Sequence, residues 1–277
     1  MNIYYVNGEF VERDKAAIPI DDLAVLRGCG ACDVMRTYNG KPYLLKEHIK
    51  RLRRSAKEIG LLVPWSSNDI ERIIFETLKI NKLTREATIR TIITGGSSTD
   101  FCMPQGKSRL LVLITKIPEF PRQWYEKGVK IITISAQRDI PSAKSISYIP
   151  ATLALKKAHT QKAVEALYVN KDNFVTECTT SNLFAFIKDS LVTPEKDVLN
   201  GITRQVILSI TEKKFKIEKR QIHLHELLMA DEIFITGTNK GIVPVVKINK
   251  TVINTGRVGE RTKKVIKILS NYVLDFK

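Results

Sequence analysis

The sequence predicts an α+β chain built as two domains, and three kinds of pattern predict it. Runs such as Ala87–Thr94 alternate between two faces and mark strands. Asn7-Gly8 and Asn39-Gly40 are two-residue turns between apolar runs, the signal of antiparallel hairpins. Elsewhere apolar residues recur at helical spacing, as Ile49, Leu52, Ala56 and Ile59 do. Strands and helices are mixed along the whole chain. The predicted division is a small N-terminal domain over 1–117, a linker over 118–128 that holds two prolines, and a larger C-terminal domain over 129–277.

The N-terminal elements come in order. Residues 3–6 and 9–11 form the first hairpin, and Val34–Tyr38 with Pro42–Leu45 the second. Lys46–Gly60 is a helix. Its apolar stripe leaves Arg51 on the other side with Arg54 and Ser55, where periodicity alone makes Arg51 solvated. A second helix covers 68–79, opened by the capping pattern Ser66-x-x-Asp69. Strands Ala87–Thr94 and Leu110–Thr115 follow. Arg90 in mid-strand either snorkels at a sheet edge or lines a polar cavity.

In the C-terminal part, Val129–Ser135 is a strand and Ala151–Lys162 a helix. Ala166–Val169, Phe174–Thr176 and Leu183–Ile187 are strands. A helix opens at Asn200-Gly201-Ile202-Thr203-Arg204 and runs through Ile210. His223–Met229 is a short helix, and Glu232–Thr236, Ile242–Val246 and Thr251–Ile253 are strands. A basic amphipathic helix over 258–276 ends the chain.

Composition narrows the class. Lys and Arg number 45 against 29 Asp and Glu, a formal charge of +16. The basic residues are spread over the chain, with no basic arm or aromatic-and-basic motif, so the charge reads as a solvated surface rather than a nucleic-acid footprint. No apolar run is long enough for a membrane span, and no signal peptide is apparent, so a cytoplasmic location is expected. Cys29-x-x-Cys32, Cys102 and Cys178 lack the second pair or nearby histidines of a zinc site, so no metal is expected.

Three stretches do not fit a plain scaffold. Asp139–Tyr148 sets Lys144 among small residues, in a segment suited to burying it. Desolvation disfavours an ammonium, and a neutral amine is a nucleophile, although position alone also fits one more surface lysine. Glu177 precedes a hydroxyl-rich run, Thr179-Thr180-Ser181-Asn182, between two apolar strands. This is either a polar loop or a carboxylate and hydroxyls converging on a ligand. Gly201 just before a helix leaves backbone N–H groups open to an anion, or simply caps the helix. One chemistry uses all of these: pyridoxal phosphate, with its aldehyde on a lysine, its phosphate among N–H groups and hydroxyls, and its ring nitrogen facing a carboxylate.

In order along the chain, VNGEFV, RTYNGKPYLLKEHIKRL, AKSISY, TECTTSNLF, NGITRQVI and ITGT followed by VPVVKI resemble segments of the class IV, or fold-type IV, pyridoxal phosphate enzymes. These are branched-chain aminotransferases, D-amino-acid transaminases and aminodeoxychorismate lyases. The resemblance implies two domains with the cofactor between them and a homodimer. It makes Lys144 the Schiff-base lysine and Glu177 the partner of the pyridine nitrogen. It makes Arg51 a phosphate arginine, against the solvated reading. Gly201, Ile202 and Thr203 become the phosphate cup, with Thr238 a second phosphate contact. Ser181 and Asn182 fall in the loop beside the cofactor. Tyr148 resembles a tyrosine near the phenolic oxygen, one residue closer to the lysine than in branched-chain enzymes.

Substrate class is implied by Leu26-Arg27-Gly28-Cys29-Gly30-Ala31-Cys32-Asp33. This segment is similar to a variant R-G-x-G-x-x-D form found in some D-amino-acid transaminases. There two arginines clamp the substrate carboxylate, and Arg27 and Arg90 match them; Arg27's loop reaches the neighbouring subunit's site. Cys32 and Asn239 are further substrate-lining candidates. Ala31 and Cys32 stand where relatives carry larger residues, Asp33 replaces a glutamate, and Gly241 replaces another. The expected activity is transamination from an amino acid, D-amino acids favoured, to a 2-oxo acid such as 2-oxoglutarate. An L-branched-chain aminotransferase and an aminodeoxychorismate lyase are the alternatives within the fold, and a basic nucleic-acid-binding protein is the rival outside it.

Overall fold

The computed structural model describes residues 3–83, 85–274 and 276. The chain divides into two compact units. Of the described residues, the first comprises the chain through Pro118 together with Ala143–Tyr148 and Phe276; the second comprises Glu119–Ser142 and 149–274.

The first unit contains β1 (Ile3–Val6), β2 (Glu9–Glu12), α1 (Leu23–Arg27), β3 (Gly30–Tyr38), β4 (Lys41–Pro42), α2 (Leu45–Glu58), α3 (Ser67–Asn81), β5 (Ala87–Thr94) and β6 (Leu110–Lys116). Its strands form one antiparallel sheet in the order β2-β1-β6-β5-β3-β4. Alternation decides what each face carries. Ala31, Met35, Ile89 and Ile93 point toward α2 and α3 and pack with Leu52, Ile70 and Ile74. Cys32, Val34 and Arg36 on β3, with Arg90 and Ile92 on β5, lie on the opposite, more open face. The capping box predicted at Ser66 and Asp69 is present in both directions.

Arg90 is therefore not at an edge. β5 lies between β3 and β6, and Arg90 is exposed on the face of an interior strand. The solvated reading of Arg51 is also corrected: it is 7% exposed. The buried arc of α2 takes in His48, Arg51 and Ser55 beside the apolar stripe. Hydrophobic periodicity misses this because the partner that makes burial tolerable, Asp33, comes from β3.

The second unit contains α4 (Gln123–Glu126), β7 (Val129–Ser135), α5 (Ile149–Thr160), β8 (Glu165–Val169), β9 (Phe174–Cys178), β10 (Asn182–Ile187), β11 (Ser190–Thr193), α6 (Ile202–Thr211), β12 (Lys216–Lys219), β13 (Ile222–His223), α7 (Leu224–Leu228), β14 (Glu232–Gly237), β15 (Gly241–Ile248), β16 (Thr251–Val252) and α8 (Glu260–Leu274). The sheet runs β12-β11-β10-β14-β15-β7-β8-β9-β13, with β16 paired to β15. It is mixed: β11–β12, β15–β7 and β7–β8 are parallel, and the other pairs are antiparallel. Phe184, Phe186 and Phe234 on one face pack with Ile207 of α6 and Val265 of α8. Leu183, Ala185, Ile233, Ile235 and Val243 on the other pack with Leu227 of α7.

The predicted linker is not a separate element, since its residues from Glu119 belong to the second unit and include α4. The segment holding Lys144, placed by sequence in the C-terminal domain, groups with the first unit because it hydrogen-bonds to β3. Strands β11 and β12 were not predicted; they are short and gain their stability from pairing. The last helix was expected to reach Phe276; it is described to Leu274, and residue 275 lies outside the described residues.

Phe184 and Phe234 stack with centroids 5.0 Å apart and planes within 10°. Both side chains are fully buried. Phe234→Ala removes a ring that has no way to be replaced by collapse of a sheet face, so it should cost about 3–5 kcal/mol. Urea unfolding of the variant checks this.

Candidate active site

In the first unit the site begins with β3 and the segment joined to it. Cys32 N–H donates to the carbonyl of Lys144 at 2.8 Å, and Ile146 N–H donates to that of Gly30 at 2.9 Å. Ala31 and Ser145 are antiparallel partners, so Lys144 lies across from Cys32. Lys144 thus sits on the open face of the sheet, with Cys32, Arg90 and Ile92. Its N–H does not continue the ladder; it donates to the Ser55 hydroxyl of α2 at 3.0 Å. Both backbone groups of Lys144 are therefore fixed, and its residue is half-buried rather than buried as the sequence suggested. Burial pushes the Cys32 thiol up, while the positive charges of Lys144, Arg90 and Arg51 pull the other way.

On the covered face, Asp33 is fully buried. Arg51 donates from Nε at 2.7 Å to one carboxylate oxygen and from Nη2 at 2.8 Å to the other. His48 Nδ1 lies 2.6 Å from Asp33 Oδ1. Burial raises the Asp33 pKa, but Arg51 and His48 more than reverse this and hold it well below the usual carboxylate range. Burial in turn holds His48 below its ordinary value, with Asp33 offsetting part of the shift.

Arg27 ends α1, exposed, and its Nη1 donates to the carbonyl of Leu26 at 2.9 Å. Gly28 caps that helix in the left-handed region, at φ 63°. Tyr148 is exposed at the end of the Lys144 segment.

In the second unit Glu177 is buried near the end of β9. Arg138 Nη1 donates to its Oε1 at 3.0 Å. Asn182 Nδ2 at 3.2 Å and the Leu199 N–H at 3.0 Å donate to Oε2. Asn182 also donates to the Leu199 carbonyl at 2.9 Å. Its Oδ1 lies 1.9 Å from where a Cβ on Gly201 would stand, so a side chain there would collide with an amide already held in place. Gly201 is the N-cap of α6, and no side chain caps that helix. Ile202 is buried and Thr203 half-buried in its first turn.

Thr238 and Asn239 lie half-buried in the turn between β14 and β15. The hydroxyl run does not stand open to a ligand. Thr179, Thr180 and Ser181 all donate to Glu165, Ser181 Oγ at 2.8 Å. Lys240, from the same turn as Thr238, also ion-pairs with Glu165.

Sequence reading singled out Lys144, Arg51, Glu177 and Gly201 but not the groups that hydrogen-bond or ion-pair with their segments: His48, Ser55, Arg138 and Glu165. Asp33 it noted as a replaced glutamate, without a structural role. Thr236 was also missed; its Oγ1 is buried without a hydrogen-bond partner among the described residues. His48 recurs with Leu45, Ile49 and Leu52 on the apolar stripe of its helix, and an imidazole there is the signal that could have found it.

The two units carry the architecture of a fold-type IV enzyme. A branched-chain amino acid aminotransferase from T.th., solved with pyridoxamine 5'-phosphate, superposes with a TM-score of 0.91 at 26% identity, covering 98% of this chain and 94% of that one. The family model for amino-transferase class IV matches residues 30–248, and the chain belongs to that family of pyridoxal-phosphate-dependent aminotransferases. A Methanocaldococcus jannaschii protein, provisionally named a branched-chain-amino-acid aminotransferase, is 36% identical, over 94% of this chain and 92% of its own length. A D-alanine aminotransferase of Listeria monocytogenes is 34% identical over the same shares.

The His48 environment makes a pH prediction. The folded state takes up this proton less readily than the unfolded state does. The associated stability is therefore complete above the ordinary imidazole value of about 6.5 and declines as pH falls through it. Urea unfolding at about pH 7.5 and about pH 5.5 should show the wild type losing about 1 kcal/mol more over this interval than His48→Asn. Equal losses would remove His48 as the cause.

Proposed function

We propose that the chain moves an amino group from an amino acid, with D-amino acids favoured, to a 2-oxo acid such as 2-oxoglutarate, using pyridoxal phosphate held by Lys144. The observation that carries this reading is the pairing of Lys144 with Cys32 on β3, which sets an amine and the Arg90 guanidinium on one sheet face. An amine able to shuttle a proton and a guanidinium able to grip a carboxylate are what amino-acid chemistry requires.

The donor set suits the cofactor. α6 is ten residues long and begins without a side-chain cap, so its first-turn N–H groups and the positive end of its dipole suit a phosphate. Thr236, aligned with Asn182 across the β10–β14 pair, adds a buried hydroxyl lacking a partner among the described residues. Ile202 and Thr203, with Thr238 and Arg51, would hold the phosphate; Glu177 would face the ring nitrogen, with Ser181, Asn182 and Tyr148 alongside. When bound, the cofactor supplies an electron sink for the bond broken at the substrate Cα. Lys144 Nζ would carry the aldehyde at rest and then take and return the Cα proton. Its main chain is pinned by Cys32 and Ser55, so this motion is confined to the side chain. Arg90 and Arg27 would bind the substrate carboxylate, with Cys32 and Asn239 lining the pocket. A homodimer follows from the same reading, since the Arg27 loop serves the neighbouring site in the enzymes it resembles.

L-branched-chain amino acids are the second reading. Val34 and Ile92 share the Arg90 face, and Ile146 lies against Gly30, all suited to an aliphatic side chain. A panel of D- and L-amino acids with 2-oxoglutarate separates the two: turnover of D-alanine or D-glutamate is expected, and turnover confined to L-leucine, L-isoleucine and L-valine would sink the D assignment. Lys144→Ala should lose the visible absorbance of lysine-bound cofactor and reduce turnover by several orders of magnitude. An unchanged absorbance band would refute the role of Lys144.

A further inference from the structure

We infer that Glu165 is a positioning residue that locks the Glu177–Asn182 loop and the Thr238 turn together, and so sets how firmly the second unit holds the cofactor. This rests on the functional reading above, which gives Glu177 and Thr238 to the cofactor. Glu165 opens β8 and is 1% exposed. Its carboxylate gathers donors from two separate stretches of chain. From the loop after β9 come the hydroxyls of Thr179 and Thr180, the Thr180 N–H at 2.9 Å and the Ser181 hydroxyl at 2.8 Å. From the turn between β14 and β15 comes the ammonium of Lys240.

Lys240 closes the link further. Its Nζ donates to Thr180 Oγ1 at 2.8 Å, and its carbonyl accepts from the Tyr125 hydroxyl at 3.0 Å. The turn that carries Thr238 is thereby fixed at both the side chain and the main chain of a residue two places on. The loop that carries Ser181 and Asn182 is fixed by three consecutive residues. Asn182 in turn holds Glu177. One buried charge thus sets the spacing of a ring-nitrogen partner and a phosphate contact.

A carboxylate is the group suited to this place. It offers up to four acceptor sites and no donor, and here every contacting group is a donor. Such an anion, out of water, is tolerable only while those donors remain. Each loop is therefore costly to move by itself, which is the property a positioning residue needs.

The test compares the wild-type holoenzyme with Glu165→Gln, Lys240→Met and the double variant. Retention of pyridoxal phosphate is read from visible absorbance during dialysis, and turnover is measured at saturating cofactor. Thermal unfolding of each apoprotein is measured beside them. Glu165→Gln leaves Lys240 without its anion and should weaken cofactor retention by roughly tenfold or more. Excess cofactor should restore most of the turnover. Lys240→Met should weaken retention in the same direction, and the double variant should be less impaired than the sum of the two singles, because the stranded charge is gone.

Should Glu165→Gln not fold, Lys240→Met and Thr180→Val carry the test alone, each expected to weaken retention severalfold. The proposal is overturned if the variants lower apoprotein stability while retention stays at the wild-type value. A wild type that takes up no pyridoxal phosphate would instead overturn the functional reading itself.

Discussion

The first unit depends on one buried carboxylate. Asp33 projects from β3 between the core residues Ala31 and Met35, where an unpartnered charge would be intolerable. Arg51 meets it in a two-point grip, and His48 takes a third position. Three polar groups are thus accommodated in a core made mainly of aliphatic side chains. The arrangement fixes the rotation of α2 against the sheet, because His48 and Arg51 must both face Asp33. That rotation also delivers Ser55, one turn beyond Arg51, to the N–H of Lys144. The Lys144 segment is placed by a chain of contacts that begins with Asp33.

The second unit solves the same problem differently. Its sheet has apolar residues on both faces, so loops at the strand ends are the places where polar groups can gather. Glu165 and Glu177 stand there, two buried carboxylates with separate donor sets. Glu177 draws on Arg138, Asn182 and a main-chain N–H, and Glu165 on hydroxyls and Lys240. Burial raises the Glu165 pKa, yet Lys240 and the hydroxyls of Thr179 and Thr180 bring it below its ordinary value. Each carboxylate is met by several donors, so a shift of either segment leaves a charge less well met.

Much of this was legible in the sequence, and the reasons differ by feature. Helices α2 and α3 and strands β3 and β5 follow from period, turn residues and the capping box, all local signals. Lys144, Glu177 and Gly201 were singled out because their residue types are odd for their surroundings and because their order along the chain resembles a family. Arg51 was legible only through that resemblance. Its burial depends on Asp33, eighteen positions earlier and on another element, and periodicity carries no trace of such a partner. Strands β11 and β12 failed for a related reason, since a four-residue strand is specified by its neighbours more than by itself. The hydroxyl run after Glu177 was recognised as unusual and left open between a polar loop and a ligand contact; its hydroxyls donate to Glu165, a residue that looks ordinary in sequence.

The Lys144 segment shows why domain boundaries are hard to read. Its neighbours in sequence on both sides belong to the second unit, yet it pairs with β3 of the first. Two ladder hydrogen bonds and the Ser55 contact suffice to detach six residues from their sequence context. Gly30 takes part for a steric reason: a Cβ there would lie 2.7 Å from the Ile146 side chain, so the strand can approach only where that position lacks one. Glycine at position 30 is a packing requirement of the Lys144 segment. The same holds at Gly201, where the space is taken by the Asn182 amide. At both positions glycine is needed because a neighbour already fills the place of its side chain, and in both the neighbour belongs to a segment that carries a site residue.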